Sequence, residues 1–424
     1  MHVVVENTVC LNTGDAAILL AIKKILEAVY GDGIQIHVFD SNPEPSARLY
    51  KDYPTLSFHR LLAESTVKQE YKGYPVKNLV KRLYNWAGLQ SIKLLGRGND
   101  LLANTLLDKK SRESIEIYRQ ADSVITTGGT YLVENYNLSK RIRQFQIDAF
   151  LGKMPIFFTQ SLGPFNNSYN RKHLKPTFDG SRLILLRDEK SAGHIAGMVD
   201  DSRKCHVVAD SVFALADTAR IENILKSPAP QPTGRVGVSV RNWNYVKDGR
   251  DGMERYVDSV RRMVTALVEQ GKEVTFVSTC QGVPEYAHDD SKTAEVIVSG
   301  LGSSTAAKVT IDASFHTPDQ LMELVKGFDF VVATRMHMMI MSLCVGIPVV
   351  PIAYEFKTKE LAARIGIADV LMDIDTISAE DAAAKLERFS NDLDRFRKTS
   401  LEAVLKENSS AMSAVELLRS ALRK

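Results

Sequence analysis

A chain of 424 residues is too long for one ordinary core, so two or three domains are expected. With 44% hydrophobic and 25% charged residues it reads as a soluble globular protein, and a formal net charge of +3 does not by itself argue for nucleic acid. Cys10, Cys205, Cys280 and Cys344 are scattered without a CxxC pair, which fits a reducing compartment and argues against structural zinc. No apolar run approaches the ~20 residues that span a bilayer, and Met1-His2-Val3 leads directly into a strand, so a cytoplasmic protein is expected.

Val3-Val4-Val5 opens a strand, Leu11–Asp15 forms a tight loop, and Ala16–Val29 has helical apolar spacing with Asp15 at its N-cap. With the strand Ile34–Phe39 this makes a βαβ opening and predicts a parallel sheet. The Asn12-Thr13-Gly14-Asp15 loop either faces a ligand or is only a cap and turn. Residues 41–115 are less regular. Within them Tyr74–Lys110 interleaves Lys77, Lys81, Arg82, Lys93 and Arg97 with Leu79, Val80, Leu83, Trp86, Leu89, Ile92 and Leu94. Most such stripes face a core, so a helical layer on the first domain with a solvated basic face is expected. Contact with an anionic membrane surface is the alternative.

A recurring pattern follows: an apolar strand with polar or glycine residues at its carboxyl end. Ser123–Thr126 ends in Thr127-Gly128-Gly129-Thr130, read as a strand-to-helix turn that lets backbone approach a ligand. The full GxGxxG fingerprint is absent, so no dinucleotide is indicated. Ile156–Phe158 ends in Gln160-Ser161-Leu162-Gly163-Pro164, Leu183–Leu186 in Arg187-Asp188-Glu189, and Val207–Ala209 in Asp210. Three prolines and a glycine in Lys226–Gly234 interrupt all periodicity and mark a linker. This gives an N-terminal α/β domain over 1–226, a linker at 227–234 and a C-terminal α/β domain over 235–424.

The second series starts with Val236–Val240, ending in Arg241-Asn242-Trp243. It continues through the helix Asp258–Gln270 and the strand Glu273–Ser278, ending in Thr279-Cys280-Gln281-Gly282. Thr317-Pro318-Asp319-Gln320 is a capping-box start with proline at the first helical position. Phe330–Ala333 is a buried strand; Thr334 is expected to cap the next helix, with Arg335 and His337 in its first turn and Gly346 and Pro348 at its end. Val349–Ala353 and the loop Tyr354-Glu355-Phe356-Lys357 lead into terminal helices from about Thr358.

Two Rossmann-like domains facing across a cleft, as in two-domain glycosyltransferase-like folds, place ligands at the strand ends. Arg187, Arg241 and Arg335 each follow a predicted strand, and Lys357 stands close behind another. Such cations suit a small substrate with more than one negative charge. A helix N-terminus adds free N–H groups, and His337 is a side chain able to deliver a proton near neutral pH. For each arginine the alternative is a structural ion pair. His288-Asp289-Asp290 lacks metal-ligand spacing and reads as a surface loop. Cys280 and Cys344 read as buried, inert thiols, and Met336, Met338, Met339 and Met341 as core filler.

These residues also resemble the polysaccharide pyruvyl transferases, in particular those of colanic acid biosynthesis. The resemblance is carried by Asn12–Asp15, Gly128-Gly129, Ser161–Phe165, Leu186–Glu189, Asp210, Ser278–Gly282 with Tyr286, Asp289 and Asp290, Thr334–His337, Gly346–Pro348 and Tyr354–Lys357. Residues 41–115 match poorly. The resemblance implies a GT-B-like fold, no metal or other cofactor, and transfer of a pyruvyl group from phosphoenolpyruvate to two hydroxyls of a sugar, giving a cyclic ketal and phosphate. It implies that Arg335 and His337 contact the donor, with His337 as general acid and Arg187 as a further ligand. It suggests a lipid-linked acceptor at the inner membrane face. Asn12, Gly14, Asp15, Gly128, Gly129, Arg241 and Lys357 complete the expected substrate site. Two other readings are a nucleotide-sugar glycosyltransferase, with Glu355 and Glu360 holding a ribose, and a non-catalytic membrane-surface scaffold.

Overall fold

The computed structural model describes residues 1–65, 75–98, 107–228, 230–243 and 246–422. The chain divides into two compact units. Met1–Cys10, Ala21–Ser211 and Ser410–Lys424 form the first, and Leu11–Leu20 with Val212–Ser409 form the second.

The first unit is built on an eight-stranded parallel sheet: β1 (His2–Thr8), β2 (Gln35–Asp40), β3 (Leu56–Arg60), β4 (Ser123–Thr126), β5 (Gly129–Leu132), β6 (Ile156–Leu162), β7 (Ile184–Leu186) and β8 (Cys205–Val207). The order is β3-β2-β1-β4-β6-β7-β8, with β5 on β6. Val3, Val4 and Val5 are all fully buried, as a central parallel strand covered on both faces requires. One apolar cluster joins Val4, Phe39, Tyr118 and Ile147; another joins Phe145, Phe157, Phe178 and Leu186.

The second unit carries six parallel strands: β9 (Arg235–Ser239), β10 (Glu273–Phe276), β11 (Val309–Ile311), β12 (Phe330–Ala333), β13 (Val349–Ala353) and β14 (Met372–Asp373). Their order is β11-β10-β9-β12-β13-β14, the doubly wound arrangement. The chain reverses its direction of winding between β9 and β12, which pair from Phe330 with Val236 to Ala333 with Ser239. A crevice opens beyond the carboxyl ends of strands at such a reversal. Arg241 follows β9 by two residues and Arg335 follows β12 by two.

Several boundaries differ from the sequence expectation. The units divide at Ser211/Val212, ahead of the proline-rich stretch. Residues before that stretch already pack in the second unit: Asp217 N–H donates to the Cys344 carbonyl at 2.8 Å and Arg220 Nε to the Val345 carbonyl at 2.8 Å. The stretch is itself pinned, because Thr233 Oγ1 and Gly234 N–H donate to Asp329 at 2.9 and 3.1 Å; its residue 229 lies outside the described residues. The chain end returns to the first unit, where Arg419 Nη2 donates to the Ala28 carbonyl at 2.6 Å. The first helix starts at Thr13, not Ala16, with Ala16 N–H donating to the Asn12 carbonyl at 2.9 Å; Asp15 is therefore inside the first turn. Gly128-Gly129 joins strand to strand, with β5 beginning at Gly129, whose φ is +115°. The capping box Thr317/Gln320 forms as expected. No helix among the described residues is long and apolar enough to cross a membrane.

Candidate functional site

The second unit gathers the predicted Arg335 and His337 at the start of the helix Met336–Cys344. Arg335, not Thr334, occupies the N-cap. Thr334 is fully buried and its Oγ1 meets the Tyr256 hydroxyl at 2.8 Å instead, which ties the β12 end to the helix Gly249–Glu269.

Arg335 is oriented by the carboxylate of Asp290, which the sequence places in a surface loop. Its Nε donates to Asp290 Oδ2 at 2.8 Å and its Nη2 to Asp290 Oδ1 at 2.6 Å, a two-pronged pair. Asp290 is buried; its Oδ2 also accepts from Ser278 Oγ at 2.6 Å, and its N–H donates to the Cys280 carbonyl at 2.7 Å. The structural ion pair weighed from sequence is thus present. It also fixes the plane of the guanidinium beside the helix start. Burial works against the Arg335 charge, but the Asp290 carboxylate in contact with it holds its pKa above the ordinary arginine value. Burial pushes the Cys280 thiol up to about 12, which fits the inert reading.

Asn12–Asp15, at the start of the first helix, belongs to the same unit, and Gly14 lies against His337. A Cβ placed on Gly14 would stand 2.8 Å from both Cβ and Nδ1 of His337, so only glycine fits there without displacement. This helix start is fixed from two sides: Thr13 N–H donates to the Thr279 carbonyl at 2.9 Å, and Thr13 Oγ1 to the His316 carbonyl at 2.7 Å. Asn12 braces it, with Oδ1 accepting from Gly14 N–H and Nδ2 donating to Asp15 Oδ2, both at 2.9 Å.

Arg241 projects between two aromatic rings, 4.4 Å from the Trp243 centroid and 4.0 Å from that of Tyr354. Lys357 pairs with Glu355 at 2.5 Å. Tyr286 and His288 meet edge to face at 5.4 Å. Partial desolvation, and then the positive charges of Arg335 and Arg241, hold the His288 imidazole below its ordinary range, so it is neutral at pH 7. The reading of His288-Asp289-Asp290 as a surface loop misses this. His288 and Tyr286 feel the same arginine, and Asp289 caps the helix Asp290–Ser299 by accepting from Ser291 N–H at 3.0 Å. The signal was their position shortly after the β10 end. No group of three or more His, Cys, Asp or Glu placed to hold a metal occurs among the described residues.

Arg187, Gly128 and Gly129 belong to the first unit. Arg187 is buried in an internal network: Nη1 donates to Asp210 Oδ2 and Nε to Ser161 Oγ, both at 2.7 Å, and Nη2 donates to Thr130. The structural alternative for Arg187 is therefore present too. At the winding reversal of this sheet, between β1 and β4, sits a buried polar cluster that the sequence reading passed over. Glu6 Oε2 accepts from the Tyr118 hydroxyl at 2.8 Å, and Gln144 Nε2 donates to Tyr118 at 2.9 Å and to Asp148 at 3.0 Å. Burial raises Glu6 to about 7, against opposing hydrogen bonds and the nearby Arg141 charge.

The two doubly wound sheets give the chain a GT-B-like α/β fold. Residues 12–355 match the model of the polysaccharide pyruvyl transferases, and the chain belongs to that family. Amylovoran biosynthesis protein AmsJ of Erwinia amylovora is 23% identical over 417 residues, 95% of each chain. HepE of Anabaena, solved in complex with UDP, shares the fold with a TM-score of 0.53 and 11% identity, covering 99% of this chain and 98% of that one. UDP-GlcNAc 2-epimerase of Neisseria meningitidis, bound to UDP-GlcNAc, does so with a TM-score of 0.55 and 10% identity over 99% of each. At these identities the likeness is one of fold.

Proposed function

We propose that the protein transfers the pyruvyl group of phosphoenolpyruvate to two hydroxyls of a sugar during exopolysaccharide synthesis, forming a cyclic ketal and releasing phosphate. The observation that carries this reading is the β12–helix junction. There an arginine locked by Asp290 and a histidine packed on Gly14 share one helix start beside Arg241. The pyruvyl donor carries a phosphate and a carboxylate, and its enol carbon must gain a proton. Arg335, Arg241 and the N–H groups of the helix start suit the two anions, and His337 is the acid.

In the reaction His337 gives a proton to the methylene carbon, which becomes a methyl group, and C2 gains oxocarbenium character. One sugar hydroxyl adds to C2 and loses its proton, which restores His337. The C2–O bond to phosphate breaks, the electron pair leaving with phosphate, whose charge the cations stabilise. The second hydroxyl then closes the ketal, and its proton leaves with phosphate. Lipid-linked sugar is the acceptor class this reading favours. The nucleotide-sugar alternative shares only the fold of UDP-binding proteins such as HepE, whereas the family match supports pyruvyl transfer.

The test is incubation with phosphoenolpyruvate and a panel of lipid-linked or aryl glycosides, reading phosphate release and acceptor mass. Acceptor-dependent phosphate and a mass gain of one ketal are expected. Transfer from a nucleotide sugar, with no use of phosphoenolpyruvate, would overturn the proposal.

A further inference from the structure

The helix Pro75–Gly96 in the first unit is apolar on two opposite sides. Its inner side carries Gly88, Ser91, Ile92 and Leu95, all buried. Ile92 and Leu95 join the cluster around Leu62 and Ile115. Gly96 sits so close to the helix Ser139–Phe150 that a Cβ would fall on the Phe150 carbonyl oxygen at 1.7 Å. The docking side is therefore fixed, and the outer side needs another explanation.

That outer side carries Leu79, Leu83 and Trp86, exposed by 59, 59 and 62%, with Val80 beside them at 62%. Among the described residues ten large apolar or aromatic side chains are exposed, and four of them stand on two turns of this helix. The spacing of four, three, four, three and four residues continues from Leu79, Leu83 and Trp86 through Gln90 to Lys93 and Arg97. One face thus begins apolar and ends cationic, with exposed Arg82 alongside. From residue 71 to residue 99 the chain has no Asp or Glu. The expected helical layer with a solvated basic face is what the inner side and the cations give; the exposure of Leu79, Val80, Leu83 and Trp86 departs from it. Its residue 74 and residues 99–106 lie outside the described residues.

We infer that the outer face of this helix docks the protein on an anionic lipid bilayer. An interfacial helix needs apolar side chains that reach the acyl boundary, an aromatic residue for the headgroup level, and cations beside them. Leu79, Leu83, Trp86, Lys93 and Arg97 supply these along one row of the helix.

Flotation of the intact protein with phosphatidylcholine vesicles, with and without phosphatidylglycerol, tests this. Binding is expected only with phosphatidylglycerol, falling as salt is raised. Leu83→Asp with Trp86→Asp is expected to lower partitioning roughly tenfold or more, and Arg97→Gln roughly fivefold. All three side chains are exposed, so the thermal midpoint is expected to stay unchanged. No phosphatidylglycerol-dependent binding, or full binding by the double variant, would overturn the inference. So would a double variant that turns an oligomer into a monomer, since the occupant would then be a second copy.

Discussion

Arg335 and Asp290 lie 45 residues apart and hold each other in a buried pair. The pair has two roles that mutation separates. Arg335→Ala leaves the Asp290 carboxylate buried and uncompensated, so a loss of about 3–5 kcal/mol is expected in urea unfolding. Arg335→Lys keeps a charge but not the fork, so a smaller stability loss with an order-of-magnitude weaker pyruvyl donor affinity is expected. Equal donor affinity in wild type and Arg335→Lys would remove the bidentate geometry from the site's design. Gly14 acts through its missing side chain. Gly14→Ala would place a methyl 2.8 Å from His337. The cost is about 1–3 kcal/mol of crowding, relieved by moving the imidazole. Turnover is expected to fall by an order of magnitude or more while donor KM changes little; unchanged turnover would show that the ring position is not critical. Neither the Arg335–Asp290 pair nor the Gly14–His337 contact is local, so sequence spacing does not disclose them. The residue types at the strand ends were legible; their partners were not.

At the scale of elements, legibility follows the range of the forces involved. The capping box at Thr317 and Gln320 is settled within four residues and forms as read. Thr334 has equally good capping chemistry, but the hydroxyl of Tyr256 on another helix claims it and the cap moves to Arg335. The helix Pro75–Gly96 shows the same limit: periodicity discloses apolar residues, not which of two apolar sides meets the core. The carboxyl end of β1 supports a pH prediction. Glu6 has a folded pKa of about 7 against an ordinary 4.5, chiefly through burial, and buried Asp148 is raised beside it. The folded state therefore holds its proton more tightly than the unfolded chain. Stability is expected to fall as pH rises from about 4.5 through about 7, by something on the order of 3 kcal/mol. Glu6→Gln should flatten that slope in urea midpoints measured across this range. The same slope in wild type and variant would contradict the assignment to Glu6.

For the whole molecule, repeated strand-then-polar segments disclosed two parallel sheets and the GT-B-like class. They did not disclose how the chain is shared between the units. Prolines look like a boundary because they break periodicity, yet Thr233 and Gly234 are tied to Asp329. The last helix looks like an appendage of the second unit, yet Leu418 is fully buried and Arg419 binds Ala28 in the first. Deleting residues 410–424 is accordingly expected to speed amide exchange in β1 and β2 more than in β9 and β12. The reverse order would contradict the division at Ser211.

In the proposed reaction the start of the helix Met336–Cys344 delivers a proton to a pyruvyl donor. The most direct measurement compares wild type and His337→Ala for acceptor-dependent phosphate release from phosphoenolpyruvate, with donor binding measured separately by titration. Ketal formation lost by a factor of about 100 or more, with donor affinity nearly retained, is the predicted result. Near-normal turnover in His337→Ala would contradict it.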